Sequence, residues 1–186
     1  MPLEIEVKLR IPSHDAIRAA LQREGAARLG RVREHNIFFD RPSGELRQKD
    51  SGLRVRIAHP QAGPPTALLT FKGPPGQTGL RAREAFDLHI DPVDQLVPLL
   101  QALGFQQILL FEKNRETWQL DNCLIELDEL PSLGHFVEIE AQGPDASETA
   151  VRAMQRRLGL DALPDHLQSY SRMARDAAGP SAELRF

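Results

Sequence analysis

Strict alternation over the first stretch of the chain limits what it can become. In Leu3-Glu4-Ile5-Glu6-Val7-Lys8-Leu9-Arg10-Ile11 the odd positions are apolar and the even positions charged, the period-2 signature of a strand with one buried face. Successive charged side chains on such a strand lie about 6.5–7 Å apart, at about 3.3 Å rise per residue. At that spacing Glu4 and Glu6 can share a hard metal ion, with Lys8 close to any anion the metal holds. A solvated strand face is the other reading of this segment taken alone.

The rest of the chain repeats the arrangement. Six carboxylates, Glu4, Glu6, Glu126, Asp128, Glu138 and Glu140, form three i, i+2 pairs. Between them in sequence, strand-like segments carry Arg54, Arg56, Lys72, Arg81, Arg83, Lys113 and Arg115 on equivalent faces. An ordinary solvated sheet mixes its signs, because like charges directly opposite each other destabilise pairing. Here like charges are grouped.

Punctuation by glycine and proline gives the element order. Ser13 reads as an N-cap for a short helix with Ala16, Ile17, Ala20 and Leu21 on its apolar side, stopped at Gly25. Residues 31–40 read as a strand, 45–49 as a short strand, 53–57 as a strand and 59–65 as a loop. A strand over 67–72 stops at Gly73-Pro74-Pro75-Gly76, and 80–90 alternates again, with Arg81, Arg83, Asp87 and His89 on one face. Residues 92–103 form a helix with proline near its start and glycine after its end. Extended segments follow at 105–120, 123–130 and 135–141, then helices at about 147–158 and 165–176, and a loosely ordered tail from 177 to 186. Asp40 reads as a turn cap rather than a metal ligand.

Composition narrows the class. At 186 residues with 41% hydrophobic side chains the chain fits one domain with a real core. A net charge of −3 gives no general field for nucleic acid, and one cysteine, Cys123, excludes an internal disulfide and a cysteine zinc site. No secretory leader and no run of roughly 18 to 20 apolar residues stands out, so a cytoplasmic location without membrane partners is expected. Of 23 basic residues only four, Lys8, Lys49, Lys72 and Lys113, are lysine, and three of the four fall on the charged strand faces.

Many strands with a few helices indicate an antiparallel α+β fold, residues 1–176 forming a single domain. Helices with apolar stripes must cover the apolar strand faces, which turns the charged faces inward. A closed antiparallel barrel with a polar lumen meets both demands and leaves no edge. Six carboxylates enclosed together raise one another's pKa and need counterions, and all-oxygen ligands favour Mg²⁺ or Mn²⁺. The enclosed cations then call for an anion of high charge density, such as a linear triphosphate or the triphosphate of a nucleotide.

Glu4-x-Glu6-x-Lys8 resembles the ExExK signature of the CYTH superfamily, the triphosphate tunnel metalloenzymes, which include class IV adenylate cyclases, thiamine triphosphatases and inorganic triphosphatases. The resemblance continues through Phe38-Phe39-Asp40, Leu53-Arg54-Val55-Arg56, Thr70-Phe71-Lys72-Gly73, Lys113-x-Arg115, Leu127-Asp128, Leu133-Gly134-His135-Phe136-Val137-Glu138-Ile139-Glu140 and Ser169-Tyr170, covering about residues 3–173. It implies an eight-stranded tunnel barrel, two-metal chemistry and a triphosphate substrate. Two positions depart from it: Ala85 stands where relatives often carry an acid, and Phe39 where tyrosine is usual.

The resulting expectation is hydrolysis of a terminal phosphoanhydride. One metal would sit on Asp128, Glu138 and Glu140 and a second on Glu4 and Glu6, with Glu126 either a ligand or a salt-bridge partner. Arg54, Arg56, Lys72, Arg81, Arg83, Lys113 and Arg115 would grip phosphates, and Lys8 would offset charge at the attacked phosphoryl group. Two rivals stay open, a cyclase making cyclic AMP from ATP and a non-catalytic polyphosphate-binding barrel. A homodimer is also open.

Overall fold

A computed structural model of the chain describes residues 5–75, 83–91, 93–179 and 183–185. The strands follow one hydrogen-bonded path, β1 (Ile5–Ile11), β8 (Gly134–Ala141), β7 (Cys123–Leu130), β6 (Gln106–Leu120), β2 (Ala27–Asp40), β3 (Gly52–Pro60), β4 (Thr66–Pro75) and β5 (Arg83–Ile90). The pairs β1–β8, β7–β8, β6–β7, β3–β4 and β4–β5 are antiparallel. The expected antiparallel α+β class is therefore present. Closure of the barrel is not part of this path, which begins at β1 and ends at β5 without a pairing between them among the described residues. The chain forms two compact units, Pro2–Val32 with Lys113–Tyr170, and Arg33–Glu112 with Ser171–Phe186.

In the first unit the alternation of β1 does what the sequence demands. Val7, Leu9 and Ile11 bury against Ile17, Ala20 and Leu21 of α1 (Asp15–Arg23) and Val151 and Met154 of α4 (Glu148–Arg157). Ile125, Leu127, Val137 and Ile139 of the neighbouring strands complete this core. Leu21 is wholly buried, and truncation to Ala would cost about 2–5 kcal/mol. The helix ends as its sequence indicates: Gly25 takes φ 74°, which a side chain would strain, and the Ala26 N–H reaches the Leu21 carbonyl at 2.9 Å. Its start differs. His14, not Ser13, occupies the N-cap, and its side chain makes no capping bond.

In the second unit Ile37, Phe39, Val55, Ala67 and Leu110 pack against Leu96 and Leu100 of α3 (Val93–Ala102). Phe39, the departure from tyrosine, lies in this core and is 1% exposed. The expected short strand at 45–49 is instead a helical turn, α2 (Glu45–Gln48). The Asp40 carboxylate takes the N–H groups of Arg41, Leu46 and Arg47 at 2.7, 2.9 and 3.1 Å and so caps that turn. β4 runs through Pro74 and Pro75 rather than stopping before them, with a register shift between Lys72 and Pro75 that accommodates residues lacking an N–H. The apolar face of β5 is not fully covered, since Phe86 and Leu88 are more than half exposed. Glu183–Leu184, β9, pairs in parallel with Leu110 and Phe111 of β6.

The last helix, α5 (Tyr170–Ala178), begins five residues later than its periodicity suggests. Asp165 and His166 are drawn off by β1: Asp165 forms a bridge with Leu9, and the His166 N–H donates to the Lys8 carbonyl at 2.7 Å.

Candidate active site

Lys8 of β1, Glu138 and Glu140 of β8, Glu126 and Asp128 of β7, and Lys113 and Arg115 of β6 share the face opposite the helix-packed core, and strand register decides which of them meet. Lys8 stands opposite Glu138, Glu6 opposite Glu140, Glu126 opposite Glu138, and Arg115 opposite Asp128. The centre of the cluster is Arg115. It grips Asp128 in a fork, Nε to Oδ1 at 2.7 Å and a terminal nitrogen to Oδ2 at 2.5 Å, and also reaches Glu138 and Glu126 at 2.5 Å each. Lys113 adds an ion pair to Asp128 at 3.1 Å, and Lys8 one to Glu138 at 3.3 Å. Lys8 Nζ also lies 4.0 Å from the centre of the Tyr170 ring and Lys113 Nζ 5.1 Å from it, so the ring face is taken by cations. Phe136 meets Tyr170 edge-on at 5.3 Å.

Burial makes these charges interdependent. Desolvation works against an ionised Asp128, which is fully buried, yet Arg115 and Lys113 outweigh it and hold the carboxyl far below the usual carboxylate range. Burial also works against the charge of Arg115, but the Asp128, Glu126 and Glu138 charges more than offset it and raise its pKa well above the ordinary value. Glu126 goes the other way: burial, with the charge of Asp128 added, pushes its carboxyl up to about 7 despite Arg115. Burial and the charges of Asp128 and Glu138 keep the Tyr170 hydroxyl protonated.

Among the expected phosphate ligands, Lys113 and Arg115 are thus placed beside the carboxylates rather than apart from them. The reason is topological, because β6 is the hydrogen-bonded neighbour of β7. Glu6 is exposed and Glu140 half-buried. Among the described residues no three His, Cys, Asp or Glu side chains converge as a ligand set. The donors are nonetheless hard carboxylate oxygens on one sheet face, with Glu126 facing Glu138 and Glu6 facing Glu140 in register, which is the donor chemistry that Mg²⁺ or Mn²⁺ requires.

The second unit carries its own polar face. Arg54, Thr70 and Asp87 form one register row across β3, β4 and β5. An Arg54 terminal nitrogen donates to Thr70 Oγ1 at 3.4 Å, and that hydroxyl donates to Asp87 at 2.6 Å. Arg56 Nε is buried without a hydrogen bond and lies 3.6 Å from Glu34. Lys72 stands opposite Gly52 on β3 and Ala85 on β5. Glu4, Arg81 and the side chain of Arg83 lie outside the described residues.

Three participants escape a reading of charge pattern alone. Tyr170 enters from α5, and the Gln168 carbonyl accepts from Lys8 Nζ at 3.4 Å. His14, 6% exposed, directs Nε2 between the carbonyl oxygens of Asp128 and Phe136, at 3.1 and 3.2 Å, and burial lowers its pKa. Arg172 stays on the exposed face of α5, paired with Asp176.

No helix among the described residues is long and apolar enough to cross a membrane. The chain is similar to the PH1819 protein of Pyrococcus horikoshii, with 28% identity, a TM-score of 0.74, and coverage of 93% of this chain and 99% of that one. It is 24% identical over 146 residues to MJ0240 of Methanocaldococcus jannaschii, named as a candidate adenylate cyclase, covering 78% of this chain and 81% of the relative. The fold is shared with HpAC1 of Hippeastrum, a proposed adenylyl cyclase described as having a dominant triphosphatase activity, at 24% identity and a TM-score of 0.67, covering 95% and 96% of the two chains. The CYTH domain model matches residues 2–170, and the chain therefore belongs to the CYTH domain family.

Proposed function

We propose that the chain hydrolyses the terminal phosphoanhydride of a linear triphosphate, inorganic tripolyphosphate first and nucleoside triphosphates second, with Mg²⁺ or Mn²⁺, two ions per site. The observation that carries this reading is the balanced charge cluster on the polar face of β1, β8, β7 and β6. Three cations, Lys8, Lys113 and Arg115, are interleaved with three carboxylates, Glu126, Asp128 and Glu138. Two divalent cations nearly cancel the charge of a triphosphate, so the cluster can exchange its internal pairs for that guest without leaving an unpaired buried charge. With both guests bound, the carboxylates would serve the metals and the cations the phosphates.

Asp128, Glu138, Glu140 and Glu126 would hold one metal, and Glu4 and Glu6 the other. When bound, the metal supplies Lewis acidity toward the phosphoryl oxygens. Lys113, Arg115, Arg54, Arg56, Lys72, Arg81 and Arg83 bind phosphate oxygens, and Lys8 offsets charge that develops at the attacked phosphoryl group. Guanidinium forks suit this task because they match phosphate geometry and stay charged.

The names of two relatives favour a cyclase as the second reading. A cyclase must also hold a purine base and ribose. The chain's single Trp, Trp118, is buried in the apolar core with Nε1 donating to Glu116 at 3.0 Å, and the face of its single Tyr is occupied by lysines. Neither ring is available to stack a base. Incubation with tripolyphosphate and with ATP, each in Mg²⁺ and in Mn²⁺, followed by chromatography of products, tests the proposal. Orthophosphate with pyrophosphate from tripolyphosphate supports hydrolysis. Cyclic AMP from ATP makes the chain a cyclase, and tight binding without turnover makes it a polyphosphate-binding module.

A further inference from the structure

His14 breaks a local rule. It occupies the N-cap of α1, a position where Ser, Thr, Asp or Asn would each stabilise the helix by about 1 kcal/mol. Its side chain gives the helix nothing, turning inward until it is 6% exposed. A residue that forgoes a favourable local bond to bury a polar ring marks a constraint set elsewhere.

The ring's partners identify that constraint. Nε2 lies 3.1 Å from the Asp128 carbonyl and 3.2 Å from the Phe136 carbonyl. Both partners are acceptors, so Nε2 carries the hydrogen and donates to both. Asp128 and Phe136 face each other in the β7–β8 register, two pairs before the ladder's last pair at the turn, Leu130 and Gly134. Beyond it the backbone is irregular, with Ser132 at φ 59° and Gly134 at φ 99°. Strand ends next to such turns fray first, and one donor shared by two facing strands ties them together where the ladder runs out. His135 holds the imidazole in place, its ring meeting that of His14 edge-on at 4.8 Å.

We propose that His14 is a positioning residue for the active site: by fixing the backbone at Asp128 it sets the carboxylate that grips Arg115 and Lys113. The Asp128 side chain leaves the same residue whose carbonyl His14 holds, so a shift in the pleat there moves both oxygens away from the Arg115 fork. A fork bond at 2.5–2.7 Å is directional and loses strength with small displacements. Nothing in this step needs a metal. Its consequence for metal binding rests on the function proposed above, in which Asp128 becomes a ligand.

His14→Ser provides the test, because serine restores an ordinary N-cap while removing the latch. The primary readout is exchange of the Arg115 Nε proton, followed by NMR on the metal-free protein. The proposal expects exchange at least tenfold faster in H14S than in the native chain, with the fold retained, and substantial recovery in His14→Gln, whose amide can still donate to the two carbonyls. Unchanged Arg115 exchange in a folded H14S overturns it, as does equal loss in H14S and H14Q. If H14S does not fold, folded H14Q decides: native-like Arg115 protection supports the latch and lost protection refutes it. A second arm titrates Mn²⁺ alone by electron paramagnetic resonance, where weakening by roughly 10- to 100-fold is expected for loss of a residue that orients a ligand. Failure of the native chain to bind Mn²⁺ would refute the proposed function and leave the Arg115 readout to decide the role of His14.

Discussion

Replacing Glu126 with Gln should stabilise the metal-free chain at alkaline pH and change little at acid pH. Glu126 stands 2.5 Å from Arg115 in a buried cluster, and its carboxyl is raised from an ordinary 4.5 to about 7, chiefly by burial. A raised carboxyl binds its proton more tightly in the folded than in the unfolded chain. Its contribution is therefore fully present below the unfolded value, and it is lost as pH climbs through the folded one. A displacement of about 2.5 units, at 1.36 kcal/mol per unit, corresponds to about 3 kcal/mol. Glutamine keeps an acceptor for Arg115 and cannot ionise, so E126Q lacks this term. Urea unfolding of both proteins in chelator, at half-unit steps from pH 4.5 to 8, measures it as a difference from which the other titrating groups largely cancel. The E126Q advantage should grow by about 3 kcal/mol across that range, rising between the ordinary 4.5 and about 7 and levelling off above it. A difference that stays flat would refute the raised carboxyl and the burial that causes it.

Glu6 is exposed, so Glu6→Gln should shift unfolding by less than about 0.5 kcal/mol while abolishing tripolyphosphate turnover; retained turnover would remove Glu6 from the site. Glu138→Gln touches both Arg115 and Lys8, and should lose turnover and also cost about 3 kcal/mol or more in the metal-free protein, measured by calorimetry, because buried cations lose their counter-charge. Arg56→Gln removes a buried guanidinium whose Nε has no hydrogen bond, and should raise KM for tripolyphosphate roughly 10- to 100-fold, the equivalent of one or two charge-assisted bonds. Asp40→Ala deprives three backbone N–H groups of their acceptor and should cost about 2 kcal/mol in thermal unfolding with kcat unchanged; a lost kcat would make Asp40 more than a cap.

The cluster departs from a simple division of an acidic and a basic half. Lys113 and Arg115 alternate with Asp128, Glu126 and Glu138 through strand register. The protein's own cations offset the carboxylates, which lets them stay together on a buried face.

The sequence by itself determined the elements whose cause is local. Alternation in β1 set which residues enter the core and which share the charged face. Gly25 and Gly104 ended α1 and α3, and Ser147 capped α4 through a bond from the Ala150 N–H. The i, i+2 spacing put Glu126 with Asp128, and Glu138 with Glu140, on one strand face because side-chain direction in a strand repeats every two residues. Only tertiary structure decided which charges meet. Sequence spacing carries no information on which strand lies beside which, so the pairing of Arg115 with Asp128 became visible only in the β6–β7 register. The same holds where a distant group overrode a local preference: Asp40 turned 45–48 into a helix, β1 drew Asp165 and His166 out of α5, and two backbone carbonyls drew His14 away from the helix it begins. For Asp40 and His14 a buried polar side chain needed a partner more than the local segment needed its preferred conformation.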